Sequence, residues 1–385
     1  MVDHPIDTPP TPRIALAHDW LCGFRGGEAV LDRIARLCAQ IGRVGPLYTM
    51  FDDGRPLAPA IDALNRTTAP LNSIPGASGS LRRWLLPAYP SAVASLSRSL
   101  QREHAREPFD LLVSTSSAAI KGLRPPDGVP HVCYCHAPAR YIWSRTDEYE
   151  DASLKGRVRG AALRAYAPTF KRWDKRTAEH VTTFIANSTH TAREIERCFG
   201  RTSEVIHPPA RTDFFTLDAN VVRTEAWLFV GALEPYKRAD LAIEAANRAK
   251  HALRIIGGGS DEQRLRALAG PTVEFLGRVS DERLRDEYRR ARVLLFPQVE
   301  DFGIVAVEAQ ACGLPVVARG EGGSLDSVSA DQTGVHFQGA TAESLLEAIE
   351  RAPSDERACR ANAERFSEDA FDRKMESLIR GALGG

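Results

Sequence analysis

Two carboxylates eight positions apart carry the strongest chemical signal in the chain. Glu300-Asp301-Phe302-Gly303-Ile304-Val305-Ala306-Val307-Glu308 follows an apolar run, Val293–Phe296, and leads into a helical pattern that stops at Cys312-Gly313. Glu300 is therefore expected in the loop at a strand's carboxyl edge, where open α/β sheets take their ligands. The backbone amides from Gly303 through Ile304 to Val305 open the helix and can meet an anion such as a diphosphate. Glu308 falls about two turns further on. A carboxylate there can accept two hydroxyl hydrogen bonds, which is what a ribose requires. The competing reading is a solvated helix carboxylate, which the flanking Val305, Val307, Ala309 and Ala311 disfavour.

The second signal is Gly231-Ala232-Leu233-Glu234-Pro235-Tyr236-Lys237-Arg238, placed after the run Trp227–Val230. It brings two cations to the mouth of the same sheet. Fixed cations stabilise a departing diphosphate more in the transition state than in the ground state; the alternative is a surface basic pair. Gly257-Gly258-Gly259, after Leu253–Ile256, is a third loop at that edge, with Gly257 and Gly259 suited to close backbone approach. Nearer the amino terminus, Arg25-Gly26-Gly27-Glu28 opens a helix after the first strand, so Gly26 and Gly27 can present amides to a phosphate, although a full GxGxxG is lacking. Cys133-Tyr134-Cys135-His136 ends a strand on a histidine, which can bond a sugar hydroxyl or share in proton transfer, or serve structure alone. Asn187-Ser188 reads as a helix N-cap.

These residues need strands and helices in alternation to hold them, and the chain supplies that pattern from end to end. Strands are expected at Arg13–His18, Asp110–Ser114, His131–Cys135 and Thr183–Asn187, then at Trp227–Val230, Leu253–Ile256, Val273–Phe275, Val293–Phe296 and Pro315–Ala318. After Gly334 the pattern reads as wholly helical. At 385 residues the chain exceeds one core, and the paired prolines of Val205-Ile206-His207-Pro208-Pro209 mark the seam. The expected fold is α/β, with domains at 1–205 and 206–366 and a last helix, 367–385, crossing back to the first. Fifty basic against fifty acidic residues argue against a general nucleic-acid binder. Neither a signal-peptide pattern nor an apolar run near ~18 residues is present, so a cytoplasmic protein is expected. Seven scattered cysteines suit reduced thiols. Cys133-x-Cys135 has the wrong spacing for zinc, and no metal is assigned.

Taken together the motifs resemble glycosyltransferase family four, the retaining group one enzymes of the GT-B fold, over almost the whole chain. The resemblance rests on EDFGIVAVEAQACGLPVVA, FVGALEPYKR, IIGGGSDEQRL, VEFLGRVSDERL and IANSTHTAREI. It implies two Rossmann-like domains facing each other across a cleft, with the acceptor bound by the first and the nucleotide sugar by the second. It implies that Lys237 and Arg238 hold the diphosphate, Glu308 the ribose and Glu300 the hydroxyls of the transferred sugar. His136 matches the histidine beside the donor sugar, and Gly26 and Gly27 the glycine loop under the phosphates. Relatives often have arginine where Ala232 stands, so Arg238 alone partners Lys237 or the diphosphate is held less tightly. No Asp-x-Asp triplet occurs, in keeping with family members that need no divalent metal; no cofactor is expected beyond the donor. His18-Asp19-Trp20, Gly26-Gly27-Glu28 and the stretch from Cys133 to Trp143 look most like bacterial enzymes that add mannose in O-antigen or exopolysaccharide assembly. GDP-mannose is accordingly favoured over UDP-linked donors.

Three rivals stay in view. A Rossmann dehydrogenase needs a fuller glycine fingerprint than Gly26-Gly27. A non-catalytic bilobal sugar-binding protein needs no diphosphate grip, and a phosphorylase-like enzyme needs a lysine set for pyridoxal. For the acceptor, Leu81-Arg82-Arg83-Trp84-Leu85-Leu86-Pro87-Ala88-Tyr89 mixes aromatic and aliphatic bulk with paired arginines, and Lys155, Arg157, Arg159, Arg164, Lys171, Arg172, Lys175 and Arg176 stand against one acid, Asp174. Such surfaces suit an anionic bilayer or a polyprenyl-diphosphate-linked glycan at the inner membrane's cytoplasmic face; the alternative puts Trp84 and Leu85 in the core and the cations on an ordinary solvated helix face.

Overall fold

The computed structural model describes residues 11–144 and 154–384. Among them two compact units separate, one of residues 11–144, 154–186, 192–204 and 372–384, the other of Asn187–Thr191 and Val205–Phe371.

The first unit is built on β1 (Arg13–Leu21), β2 (Arg43–Asp52), β3 (Arg66–Thr68), β4 (Leu111–Ser116), β5 (His131–Cys135), β6 (Thr183–Ala186) and β7 (Ser203–Val205), in the spatial order β3-β2-β1-β4-β5-β6-β7. Pairing from β3 through β6 is parallel. Ile14, Ala15, Leu16 and Ala17 are wholly buried, as a strand covered on both faces must be. The helix Gly26–Ile41 buries Val30, Leu31, Ile34, Leu37 and Cys38 along one stripe. At the end of the chain Asp372 receives two hydrogen bonds from Arg33, at 2.7 and 2.6 Å.

The second unit contains β8 (Trp227–Val230), β9 (Leu253–Ile256), β10 (Val273–Gly277), β11 (Val293–Phe296), β12 (Val316–Arg319) and β13 (Gly334–Phe337). They lie parallel in the order β10-β9-β8-β11-β12-β13. Both sheets therefore reverse their winding beside the first strand, between β1 and β4 and between β8 and β11. Such a switch point leaves a crevice beyond the carboxyl ends of the strands.

Four strands, β2, β3, β7 and β13, were not expected, and for two of them the cause is visible. The stretch after Gly334 is not wholly helical, because β13 pairs with β12 from Val316↔Gly334 to Arg319↔Phe337. A Cβ at Gly334 would lie 2.0 Å from the Val316 carbonyl oxygen, so glycine is what lets this short edge strand close up. β2 was also hidden by its own breakers. Gly45 and Pro46 sit in a register shift opposite β1, and Gly45 makes room for the Phe109 ring, 2.6 Å from where a Cβ would stand.

Candidate functional site

In the second unit, Lys237 and Glu300 come from the loops after β8 and β11, the two strands flanking the switch point. Their side chains, each 16% exposed, form an ion pair and hydrogen bond. Three glycine contacts shape the surrounding backbone. Gly257, at φ +137°, lies so close to Gly231 that a Cβ would fall 1.8 Å from its carbonyl oxygen, and Gly259 likewise meets Leu233 at 2.3 Å. Gly303, at φ +89°, precedes the helix Ile304–Ala311, which no side chain caps, and its missing Cβ leaves space for Phe296. The helix start thus keeps amides open to an anion beside Lys237 and Glu300.

Arg238 is the odd member. It holds a left-handed φ of 55°, and its guanidinium lies on Asp240 at 3.1 and 3.2 Å. Phe302 contributes no side chain to a ligand. It is 3% exposed and its ring packs on His207 and Phe366, with centroids 5.4 Å away in each case, so only its backbone remains available. Glu308 is not a solvated carboxylate. Burial pushes its pKa up to about 7, with Arg211 opposing that rise and Asp281 adding to it. Arg211 stands 3.9 Å from Glu308 and 2.6 Å from Asp281.

Sequence reasoning missed the glycine pair after β12. Gly323 donates its amide to the Glu300 carbonyl at 2.8 Å, and Cβ atoms at Gly322 and Gly323 would fall 2.4 and 2.3 Å from the carbonyl oxygens of Glu300 and Asp301. The signal was present, since Gly322-Gly323 follows a strand in the same way as Gly257-Gly258-Gly259. Ser188 caps its helix by accepting from Thr191 N at 3.0 Å, so the N-cap reading of that segment describes its local role.

In the first unit a polar cluster occupies the carboxyl ends of β1, β4 and β5. His18 Nδ1 meets Thr115 Oγ1 at 2.6 Å and its Nε2 faces Glu28 Oε1 across 3.7 Å. Burial would raise the Glu28 pKa, yet the facing imidazole and the Arg25 amide, 3.0 Å away, hold it below the ordinary carboxylate range. Gly27 lies between two imidazoles: a Cβ there would be 3.6 Å from His18 Cε1 and 3.7 Å from His136 Nε2. Gly26 is open, with nothing within 4 Å of such an atom. Burial, and then the neighbouring His18, drive the His136 pKa down to about 3. His136 is therefore a neutral imidazole near pH 7, suited to hydrogen bonding and poorly matched to general base work. Beneath it Asp19, wholly buried, accepts from the amides of Ser117, Ala118, Ala119 and Ile120 at 2.6 to 2.9 Å and from Ser116 Oγ at 3.2 Å. His18 and Asp19 are neighbours on β1 and Glu28 opens the next helix; the sequence marked both triplets, His18-Asp19-Trp20 and Gly26-Gly27-Glu28, without showing that they meet Thr115 and the loop after β4.

Elsewhere in this unit Trp84 is 47% exposed and Leu81 41%, which removes Trp84 from the core. Arg82 lies over the Trp20 ring at 4.5 Å. Asp174 is not a surface acid of the basic helix; it is buried against Lys121 and accepts from Trp143 Nε1 at 2.8 Å. The side chains of Arg83, Lys155, Arg157 and Arg159 lie outside the described residues.

Comparison with known proteins agrees with this fold. The family described as Glycosyltransferase Family 4 matches residues 26–214, and that described as Glycosyl transferases group 1 matches residues 220–373. D-inositol 3-phosphate glycosyltransferase of Gordonia bronchialis is 31% identical over 53% of this chain and 55% of its own length. The enzyme of the same name from Mycobacteroides abscessus is 38% identical over 34% of each. The chain thus spans about half or less of the curated relatives it matches. Among solved structures, sucrose-phosphate synthase from Thermosynechococcus elongatus superposes with a TM-score of 0.73 at 19% identity, covering 97% of this chain and 99% of its own. HepE of Anabaena in complex with UDP gives 0.69 at 16% identity, covering 96% and 100%. At such identities these likenesses show the shared fold.

Proposed function

Because the chain belongs to the group 1, family 4 glycosyltransferases, we propose that it is a retaining hexosyltransferase acting from a nucleotide-diphosphate sugar, with GDP-mannose as donor. The reading is carried by the Lys237–Glu300 pair at the β8/β11 switch point, beside an uncapped helix. Lys237, with Arg238, meets the diphosphate, as do the amides of Gly303, Ile304 and Val305. Gly231, Gly257 and Gly259 let the backbone close around it. Glu308 takes the ribose hydroxyls. Glu300 releases Lys237 to the phosphate and turns to the hydroxyls of the sugar. The bond from the anomeric carbon to the phosphate oxygen breaks, and that carbon bonds to the acceptor oxygen on the same face. The acceptor's proton passes to the departing phosphate. No metal and no cofactor besides the donor is assigned a part.

The acceptor in this reading is a glycan, free or linked to polyprenyl diphosphate, in cell-surface polysaccharide synthesis. Its lipid-linked form would be met at the cytoplasmic face of the inner membrane. Exposed Leu81 and Trp84 beside Arg82 support peripheral contact with an anionic bilayer, and no helix among the described residues is long and apolar enough to cross a membrane. The curated relatives favour a second reading, a small phosphorylated acceptor, since their name attaches them to D-inositol 3-phosphate.

The test is a panel of GDP-mannose, UDP-glucose and UDP-N-acetylglucosamine with the protein in EDTA, measuring free nucleotide and the anomeric proton of the product. Release from GDP-mannose with retained configuration is expected. Release from none of them, or an inverted product, overturns the reading.

A further inference from the structure

Arg211 belongs to no motif singled out above, and the second unit holds its guanidinium by two rings and a carboxylate. Its neighbour Ala210 donates its backbone N–H in a hydrogen bond to the Phe366 carbonyl at 2.8 Å. The guanidinium lies against Phe214 and Phe215, with its carbon 5.2 and 5.1 Å from the two ring centroids. One edge donates to Asp281 Oδ2 at 2.6 Å. The other edge faces Glu308 Oε1 at 3.9 Å, too far for a hydrogen bond and close enough for a strong charge interaction. Packing on two rings and anchorage on Asp281 keep this cation aimed at Glu308, although Arg211 keeps 43% of its side chain exposed.

We propose that Arg211 is a positioning residue for nucleotide binding, the cation that keeps Glu308 an ionised acceptor for the two ribose hydroxyls. The proposal rests on the assignment of Glu308 to the ribose. An ionised carboxylate offers acceptors only, whereas a protonated one gives up acceptor capacity to a hydroxyl of its own. Glu308 lies on a helix among Ala306, Val307, Ala309 and Ala311, all wholly buried, and that surrounding favours the neutral acid. The other ionisable groups facing it do not help. Asp281 is a second anion, and Tyr288 and Cys312 have pKa values driven up by burial, so they stay neutral. Among the described residues acting on Glu308, Arg211 alone favours its charged form. Its removal should carry the Glu308 pKa further upward, so that near pH 7 fewer molecules present a carboxylate, and raising the pH should restore it.

The experiment measures the dissociation constants of GDP and UDP by calorimetry from pH 6 to pH 9 for the wild type, Arg211→Gln, Arg211→Lys, Glu308→Gln and the double variant Arg211→Gln/Glu308→Gln. Arg211→Gln is expected to weaken the better nucleotide about five- to tenfold at pH 7, corresponding to a pKa rise of about one unit, and to return to within about threefold of wild type at pH 9. Arg211→Lys should stay within about threefold throughout, and Arg211→Gln should change nothing once Glu308 is glutamine. Unaltered affinity in Arg211→Gln overturns the proposal, as does a loss that is equal at pH 7 and pH 9 or persists in the double variant, because Arg211 would then touch the nucleotide itself. If Glu308→Gln alone leaves affinity unchanged, it is the ribose assignment that fails.

Discussion

At the carboxyl ends of β1, β4 and β5 the polar groups are engaged with one another: His18 with Thr115 and Glu28, and Asp19 with four backbone amides. At the carboxyl ends of β8 and β11 Lys237 and Glu300 hold each other's charge, and in the proposed function both are given up to the donor. Titration separates the two regions further. In the first unit burial lowers two histidines, His131 and His136, to about 3, while in the second it raises a carboxylate, Glu308, to about 7. Burial thus keeps imidazoles neutral in the first unit, whereas in the second it works against a carboxylate that Arg211 opposes. Buried neutral groups resist rearrangement, whereas an internal ion pair can be exchanged for one with a ligand.

Acid should expose the difference most strongly. A histidine whose folded pKa lies below its unfolded value of about 6.5 stabilises the fold above that pH, and the contribution is lost as pH falls towards about 3, because the unfolded chain takes the proton. From pH 7.5 to pH 5 the two histidines together should cost the first unit about 4 kcal/mol. Glu308 has the opposite sign. Between about 7 and 4.5 the folded form binds more protons, so the second unit gains stability over the same range. Trp20, Trp84, Trp143 and Trp173 lie in the first unit and Trp227 in the second, so a Trp227→Phe variant reports the first unit in a urea titration by fluorescence. A midpoint that does not move between the two pH values breaks the comparison.

Next in size is Lys237→Ala, expected to lower kcat by about a hundredfold or more, near 2.7 kcal/mol of transition-state stabilisation. The urea midpoint should shift by no more than about 1 kcal/mol equivalent, because the remaining Glu300 can reach water. Near wild-type turnover in a folded variant would remove Lys237 from the reaction.

The smallest effect separates the two carboxylates of one motif. Glu308→Ala should weaken nucleotide binding by about 1.5 to 2 kcal/mol, two hydroxyl bonds to a charged acceptor discounted for water. Glu300→Gln should leave nucleotide affinity within a few-fold and reduce kcat. Calorimetry with GDP and UDP, beside steady-state turnover, tests both assignments, and equal losses of affinity in the two variants would erase the distinction.

How far the sequence reached follows from how each site is built. The second unit draws Glu300, Gly303 and Glu308 from one short segment and Lys237 from a neighbouring strand's loop, so motif and geometry coincide. What escaped notice there was contact at a distance: Gly322-Gly323 against the Glu300 backbone, Arg211 against Glu308, and the aromatic packing that turns the Phe302 ring away from any ligand. The first unit's cluster joins β1, β4, β5 and a helix start; His136, the glycine pair and the triplets His18-Asp19-Trp20 and Gly26-Gly27-Glu28 stood out in the sequence, but the contacts of His18 with Thr115 and of Asp19 with the loop after β4 did not. Strands with apolar cores, such as Val293–Phe296, were read to the residue. β2 and β13 were not, because Gly45, Pro46 and Gly334 look like breakers until the partner strand shows what they accommodate.

The carboxylate of Asp19 has one more effect, on timing. Loop amides ordinarily trade their hydrogens for solvent deuterium within seconds, since nothing but water holds them. Those of Ser117, Ala118, Ala119 and Ile120 all end on one buried side chain. They can exchange only when that carboxylate is uncovered, which requires the carboxyl end of β1 to part from β4. In an isotope-labelling experiment this connector should keep pace with the central strands, leaving a fixed floor under His136 while the residues around Lys237 exchange at the rate of open loops.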